Sequence, residues 1–159
     1  ATTEIYTLSR HDALPICSKK EREMARSMRD VVLDSHAILK FVQDEAGAEK
    51  VEEILKASHR GEIRAFLNEI NLGEIYYITV RKMGMEVATE LLEHMGNLPI
   101  KRVPATWDVI AAASRVKAQY ALSYADCFAV ASALRWGAAI VTGDPEFKRV
   151  EHLVEVDWI

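Results

Sequence analysis

The stretch Arg29-Asp30-Val31-Val32-Leu33-Asp34-Ser35-His36-Ala37-Ile38-Leu39 changes its apolar period at Asp34. Val31 to Leu33 is a short β-branched run with no polar alternation, the pattern of a strand covered on both faces. From Ser35 to Val42 the apolar residues fall at helical spacing instead. An acid stands at the junction, where a strand delivers its last side chain to the edge of a sheet.

The same grammar repeats downstream. Helical spacing predicts a helix over Ala48–Ser58, with Val51, Ile54 and Leu55 on one face and Gly61 as a stop. Ile63–Leu67 is a second strand candidate, followed by helices over Glu69–Lys82 and Glu86–Met95. Leu98–Val103 is a third strand candidate, with Pro99 near its start, where a missing donor is tolerated. Helices are expected over Thr106–Tyr120 and Tyr124–Trp136. Ala138–Thr142 is the clearest strand in the chain, and Leu153–Val156 is read as the fifth. Strands alternating with helices imply right-handed crossovers and a mostly parallel five-stranded sheet inside a three-layer α/β/α domain. Ligands of such sheets bind beyond the carboxyl ends of the strands.

The 159 residues suit one domain, and 50% apolar with 28% charged residues is the balance of a globular core, not of a disordered chain. No apolar run is long enough for a transmembrane helix. Two cysteines, Cys17 and Cys127, make neither a disulfide framework nor a zinc-finger spacing, so a reducing cytoplasm is the expected setting. A net charge of −4 argues against a broad basic coat for nucleic acid. It does not argue against an enzyme that gathers carboxylates around divalent cations, because the cation reverses the local field.

Residues 1–27 read differently. They show no sustained apolar period, no secretory-signal pattern, and a charge run from Lys19 to Glu23. Ile5–Ile16 resembles translated sequencing-adapter DNA. The expectation is that the native start is Met28 or Met24, that residues 1–27 are a non-native or disordered extension, and that 28–159 form the domain.

Four acids occupy element boundaries or buried helices, and each also has an ordinary structural reading. Asp34 suits the N-cap of the following helix. Glu74, in Asn71-Leu72-Gly73-Glu74-Ile75-Tyr76, is by itself a solvated helix acid, although Leu67, Ile70, Ile75 and Ile78 suggest a largely buried setting where a free acid is costly. Asp126, in Ser123-Tyr124-Ala125-Asp126, completes a capping-box-like start before the nearly all-apolar run Cys127–Leu134. Asp144, in Thr142-Gly143-Asp144-Pro145, starts an ordinary turn. Together they meet the requirement of a metal-dependent phosphodiesterase: hard oxygen ligands for Mg²⁺ or Mn²⁺ drawn from separate elements.

The ordered set Val-Val-Leu-Asp-Ser-His-Ala-Ile-Leu, Asn-Leu-Gly-Glu-Ile-Tyr-Tyr, Leu-Ser-Tyr-Ala-Asp-Cys-Phe-Ala-Val-Ala-Ser-Ala-Leu and Ile-Val-Thr-Gly-Asp-Pro-Glu-Phe resembles the PIN-domain family, and within it the VapC-type toxins. The resemblance runs from about Arg29 to Ile159. It implies an acidic quartet at Asp34, Glu74, Asp126 and Asp144, with Thr142 as a supporting hydroxyl. It also implies Mg²⁺ or Mn²⁺ dependence, endonucleolytic cleavage of RNA, a homodimer, and inhibition by a small antitoxin protein. In this reading Asp34, Asp126 and Asp144 hold the metal directly or through water, and Glu74 completes the shell or orients the attacking water. His36 departs from the small residue usual at its position and bears on substrate fit. No nucleophilic triad stands out, so no covalent intermediate is expected.

Three rival readings remain: a PIN nuclease of RNA processing without an antitoxin, a PIN-like binding module without activity, and a phosphorylation receiver. The last lacks an acid beside Asp34 and a phosphoacceptor after Val103. Among the other residues, His59, His94 and His152 are read as surface groups and Cys127 as a buried apolar residue. Trp107, Trp136 and Trp158 are read as packing groups, and Ile75–Ile78 as core in preference to a groove for a partner helix.

Overall fold

A computed structural model describes residues 28–159, so the expectation about residues 1–27 lies outside the described residues. The elements are β1 (Arg29–Leu33), α1 (Ser35–Val42), α2 (Ala48–His59), β2 (Ile63–Asn68), α3 (Glu69–Met83), α4 (Met85–Gly96), β3 (Ile100–Val103), α5 (Trp107–Gln119), α6 (Tyr124–Trp136), β4 (Ala139–Thr142), a 3₁₀ turn (Pro145–Val150) and β5 (Val156–Trp158).

The five strands form one sheet in the order β3-β2-β1-β4-β5, and every pair is parallel. Pleating sends alternate side chains to opposite faces. Val32, Phe66, Val103 and Ile140 meet α5 and α6 on one side. Val31, Leu33, Ala65, Leu67 and Val141 meet α1, α2 and α3 on the other. Both faces are therefore covered, which explains the unbroken apolar reading of β1 and β4, each buried through its last residues.

The chain moves outward from β1 to β2 and β3, then returns to lay β4 on the free side of β1. The direction of winding reverses between β1 and β4, which opens a crevice at their carboxyl ends. Helix α6 feeds β4 across that reversal and is buried continuously from Asp126 to Ala133. Gly137 ends it at φ +62°, a left-handed conformation that favours glycine and turns the chain into β4. Among the described residues no helix is long and apolar enough to cross a membrane.

Two boundaries differ from expectation. The fifth strand is Val156–Trp158, not Leu153–Val156. Leu153 and Val154 instead close a turn, their N–H groups donating to the Val150 carbonyl at 2.8 and 3.2 Å. Val154 is buried as a plug, and the paired register starts at Val156 opposite Ile140. An acid and an indole hold this edge strand in place of apolar alternation: Asp157 is bound by Arg29 and Lys50, and the Trp158 Nε1–H donates to Glu151 at 2.9 Å. The third strand begins at Ile100, because the Ile100 N–H turns back to Leu98 at 2.7 Å.

Asn68 ties the layers together. It is fully buried, its Oδ1 accepts the Ile70 N–H at 2.9 Å to cap α3, and its Nδ2 donates to the Ser132 hydroxyl of α6 at 3.1 Å. Asn68→Ala removes a cap and leaves buried groups unpaired, and it is expected to lower stability by about 1–3 kcal/mol. Urea unfolding checks this; a midpoint equal to that of the wild type would contradict the role.

Candidate functional site

Asp34 immediately follows β1 and is 1% exposed. Its Oδ1 accepts the Ala37 N–H at 2.7 Å, so it is the N-cap of α1 that the sequence allows. Its Oδ2 accepts the Thr142 hydroxyl from the end of β4 at 2.5 Å. The Thr142 oxygen in turn accepts the Asp144 N–H at 2.9 Å. This hydroxyl links the two strand ends that flank the winding reversal. Asp144 caps the 3₁₀ turn through the Glu146 N–H at 2.8 Å and stays half-buried.

Asp126 sits in the first turn of α6 and is 7% exposed. Ser123 is the N-cap there, its hydroxyl accepting the Asp126 N–H at 3.1 Å. Glu74 projects from α3, half-buried instead of enclosed. The capping readings and the site reading are thus compatible for Asp34, Asp126 and Asp144, because a helix start is also a sheet edge in this topology.

Electrostatic coupling links the acids pairwise: Asp34 to Asp126 and Asp144, and Asp126 to Glu74 and Asp144. Burial pushes the Asp34 carboxyl up to about 7, against hydrogen bonds from Thr142 and Ala37 that pull it down; the charges of Asp126 and Asp144 add to the rise. Burial likewise raises Asp126 to about 6, opposed by Ser123 and reinforced by Glu74 and Asp144. Among the described residues no basic side chain forms a salt bridge with any of the four. Among the described residues, neutral donors alone offset their mutual repulsion.

The donor set is of the kind that fits a hard divalent cation: carboxylates, one hydroxyl and no thiolate or imidazole cluster. Among the described residues, however, no group of three acid, imidazole or thiol side chains is disposed to hold one ion by itself. An ion held here would have to keep several waters, as Mg²⁺ does. Two shallow cavities, of about 350 and 490 Å³, lie toward the opposite edge of the sheet, around Leu98 and Pro99, and touch none of the acids. Asp34 and Asp126 are buried while Glu74 and Asp144 are partly exposed, so the acids meet solvent through the latter two.

His36 lies at the rim of this site. A Cβ at Gly143 would come within 2.9 Å of the His36 ring, so the glycine lets the β4–Asp144 turn pass beneath it. Burial, then Lys40, lowers the His36 pKa, with Asp144 and Glu45 opposing.

Sequence reading assigned no role to Asn71, which is fully buried within the apolar stripe of α3 formed with Leu72 and Ile75. Its Nδ2 donates to the Ser35 hydroxyl and to the Ala125 carbonyl, each at 3.1 Å. An amide inside an apolar stripe was the available signal.

Other expectations divide. His59, His94 and His152 are exposed, and Cys127 is buried. Trp136 stacks on Phe66 with ring centroids 5.1 Å apart. Trp107 does not pack: it is 76% exposed. The buried stripe of α5 is Val109, Ala113 and Val116. Trp107 stands two residues before it, about 200° around the helix. Ile75 is core, whereas Tyr77 is 48% exposed.

The raised carboxyls predict how metal-free protein responds to pH. A carboxyl whose folded pKa lies above its unfolded value makes the fold bind more protons than the open chain, so its contribution to stability falls as pH rises. For Asp34 that loss runs from about pH 4 to about pH 7. In EDTA, Asp34→Asn is expected to melt higher than wild type at pH 8 and to lose that advantage by pH 4. Identical melting temperatures at pH 8 would contradict the burial penalty.

Comparisons with known proteins now bear on this geometry. No curated protein sequence matches. The PIN domain profile matches residues 31–153. Among solved structures, VapBC2 from Rickettsia felis, bound to a DNA fragment from its promoter, is similar at a TM-score of 0.64 and 14% identity, over 82% of this chain and 99% of that one. DNA-bound VapBC from Salmonella typhimurium is similar at 0.63 and 15%, over 82% and 98%. VapC20 from Mycobacterium tuberculosis, a toxin that cleaves the sarcin–ricin loop, is similar at 0.60 and 13%, over 74% and 92%. Identities this low carry the fold alone, but the profile spans most of the chain, from β1 to the turn before β5, and on that basis the chain belongs to the PIN-domain family.

Proposed function

We propose that the chain is a metal-dependent endoribonuclease that hydrolyses RNA phosphodiester bonds, and that it is the toxin of a type II toxin–antitoxin pair. The observation that carries this reading is the electrostatic coupling of Asp34, Glu74, Asp126 and Asp144, drawn from four elements near the β1–β4 reversal, with no salt-bridged cation among the described residues. Asp34, Asp126 and Asp144 would hold Mg²⁺ or Mn²⁺ directly or through water. The bound cation supplies a water of lowered pKa and charge neutralisation at the phosphate.

The chain's own residues then have separable tasks. Thr142 keeps the Asp34 Oδ2 fixed by its 2.5 Å hydrogen bond and leaves the Asp144 turn anchored through its oxygen. The Ala37 N–H and the start of α1 hold Oδ1, which orients the carboxylate toward the sheet edge. Glu74, half-buried on α3 and close enough to act on Asp126, would complete the shell or orient the attacking water.

Partners follow from the same reading. The similar VapBC structures are toxin–antitoxin complexes, which supports a small antitoxin protein as the inhibitor here. Exposed Tyr77, Met83 and Met85 at the α3–α4 turn offer apolar surface to that antitoxin or to a second copy in a homodimer. A cytoplasmic setting accords with an RNA substrate.

The test is cleavage of a mixed RNA by the full chain with Mg²⁺ or Mn²⁺, with EDTA, and with Asp34→Asn. Endonucleolytic products lost with EDTA, and reduced at least about 100-fold in Asp34→Asn, are expected. Cleavage that persists in the variant would overturn the site assignment. Intact RNA from folded wild type with either metal, across varied substrates, would favour a binding module over a nuclease.

A further inference from the structure

Each acid of the candidate site is carried by a different element, and their charges push those elements apart. Hydrogen bonding at the Asp34 carboxylate itself reaches only β4 and α1. It does not tie α3 or α6 to that edge. The tie is made one residue away from the carboxylates, through Asn71.

The Asn71 side chain is 0% exposed, and both hydrogens of its amide are used. One goes to the hydroxyl of Ser35, the residue after Asp34; the other goes to the carbonyl of Ala125, the residue before Asp126. The Ser35 hydroxyl donates back to the Asn71 carbonyl at 3.2 Å, closing a two-way link between α1 and α3. Glu74 lies three residues along α3, on the neighbouring turn of the same helix. A single amide therefore joins the backbones that carry Asp34, Glu74 and Asp126. Because Ser35 and Ala125 are the immediate chain neighbours of two of the acids, a shift at the amide reaches their carboxylates with almost no slack.

The amide orientation is decided by this task. The Asn71 Oδ1 has no hydrogen-bond partner among the described residues although it is buried. Turning the amide over would aim that oxygen at the Ala125 carbonyl, acceptor against acceptor. Burying an unpartnered amide oxygen is unfavourable, and a leucine would fill an apolar stripe without that cost. The two donors are what the position requires.

We infer that Asn71 is the positioning residue of the site, setting the relative placement of Asp34, Glu74 and Asp126 and through it the affinity for a divalent cation. The inference rests on the metal-nuclease reading above. It assigns Asn71 no contact with substrate or with the reacting atoms. Asn68 supplies a matched comparison: it is an equally buried asparagine with two side-chain hydrogen bonds, but its partners, Ile70 and Ser132, flank none of the four acids.

The experiment measures Mn²⁺ binding calorimetrically to full-length, EDTA-stripped wild type, Asn71→Ala, Ser35→Ala and Asn68→Ala. RNA cleavage is followed in parallel as a function of Mn²⁺ concentration, and thermal unfolding is recorded for each protein. Groups hydrogen-bonded directly to metal ligands typically contribute 10- to 100-fold in affinity. Asn71 acts one residue further out, through Ser35 and Ala125, so Asn71→Ala is expected to weaken Mn²⁺ binding by about 10-fold, the lower end of that range, and Ser35→Ala by less. The half-activating Mn²⁺ concentration should rise in step, with cleavage recovering at saturating Mn²⁺. Asn68→Ala should melt lower yet bind Mn²⁺ within about threefold of wild type, because it loses buried hydrogen bonds whose partners adjoin none of the acids. Wild-type affinity in Asn71→Ala would overturn the positioning role while leaving the nuclease reading intact. If Asn71→Ala does not fold, Ser35→Ala decides: weakened binding supports the role and unchanged binding overturns it. Wild type that binds no Mn²⁺ would overturn the metal reading and the positioning role with it.

Discussion

The Asp34 carboxylate is held at the end of the central strand almost without contact with solvent, one oxygen on the Ala37 amide and the other on the Thr142 hydroxyl. Burying a charge there is unfavourable unless it is compensated, and neutral donors offset only part of the penalty. The rest is expressed in the raised affinity of the group for a proton. Much of the local architecture answers to this one side chain. Thr142 must lie level with it across the β1–β4 pair. The winding must reverse there, and the glycine after Thr142 must let the turn pass under His36.

The sheet order turns a local feature into a site. Strand ends in an open parallel sheet are ordinarily crowded by the crossover that follows each of them. Between β1 and β4 the two crossovers depart in opposite directions, so the edge stays open. Helix α6, buried nearly all round, can then deliver Asp126 to the same opening from one face while α3 delivers Glu74. Covering both faces of the sheet also brings α3 and α6 close enough for Asn71 to reach the Ala125 carbonyl. Core packing and the arrangement of acids are two consequences of one topology.

Buried amides and hydroxyls, not ion pairs, connect the layers around the site. Asn68 with Ser132, Asn71 with Ser35 and Ala125, and Thr142 with Asp34 are all buried or nearly so. The ion pairs lie elsewhere. Arg64 grips Asp30 in a bidentate pair at the opposite end of the sheet, and Arg29 and Lys50 secure β5. A cation brought close to the acids would compete with a metal, so neutral donors are the compatible way to hold that edge together.

By itself the sequence determined the succession of strands and helices and the two-sided burial of β1 and β4, and it singled out the four acids with Thr142 as candidates, since these readings depend on apolar period, capping chemistry and motif order within a few residues. It misplaced β5 because the apolar residues at Leu153 and Val154 resemble a strand until the Val150 carbonyl is seen to capture both amides. It took Trp107 for a packing residue because an exposed indole and a buried one look alike until the phase of α5 is known. Only the tertiary structure decided that Asp34 is enclosed while Asp144 is half open, that His36 rests on Gly143, and that Asn71 links three acid-bearing elements. Those are distances between residues 36 to 108 positions apart along the chain, and a periodicity argument carries no information across such separations.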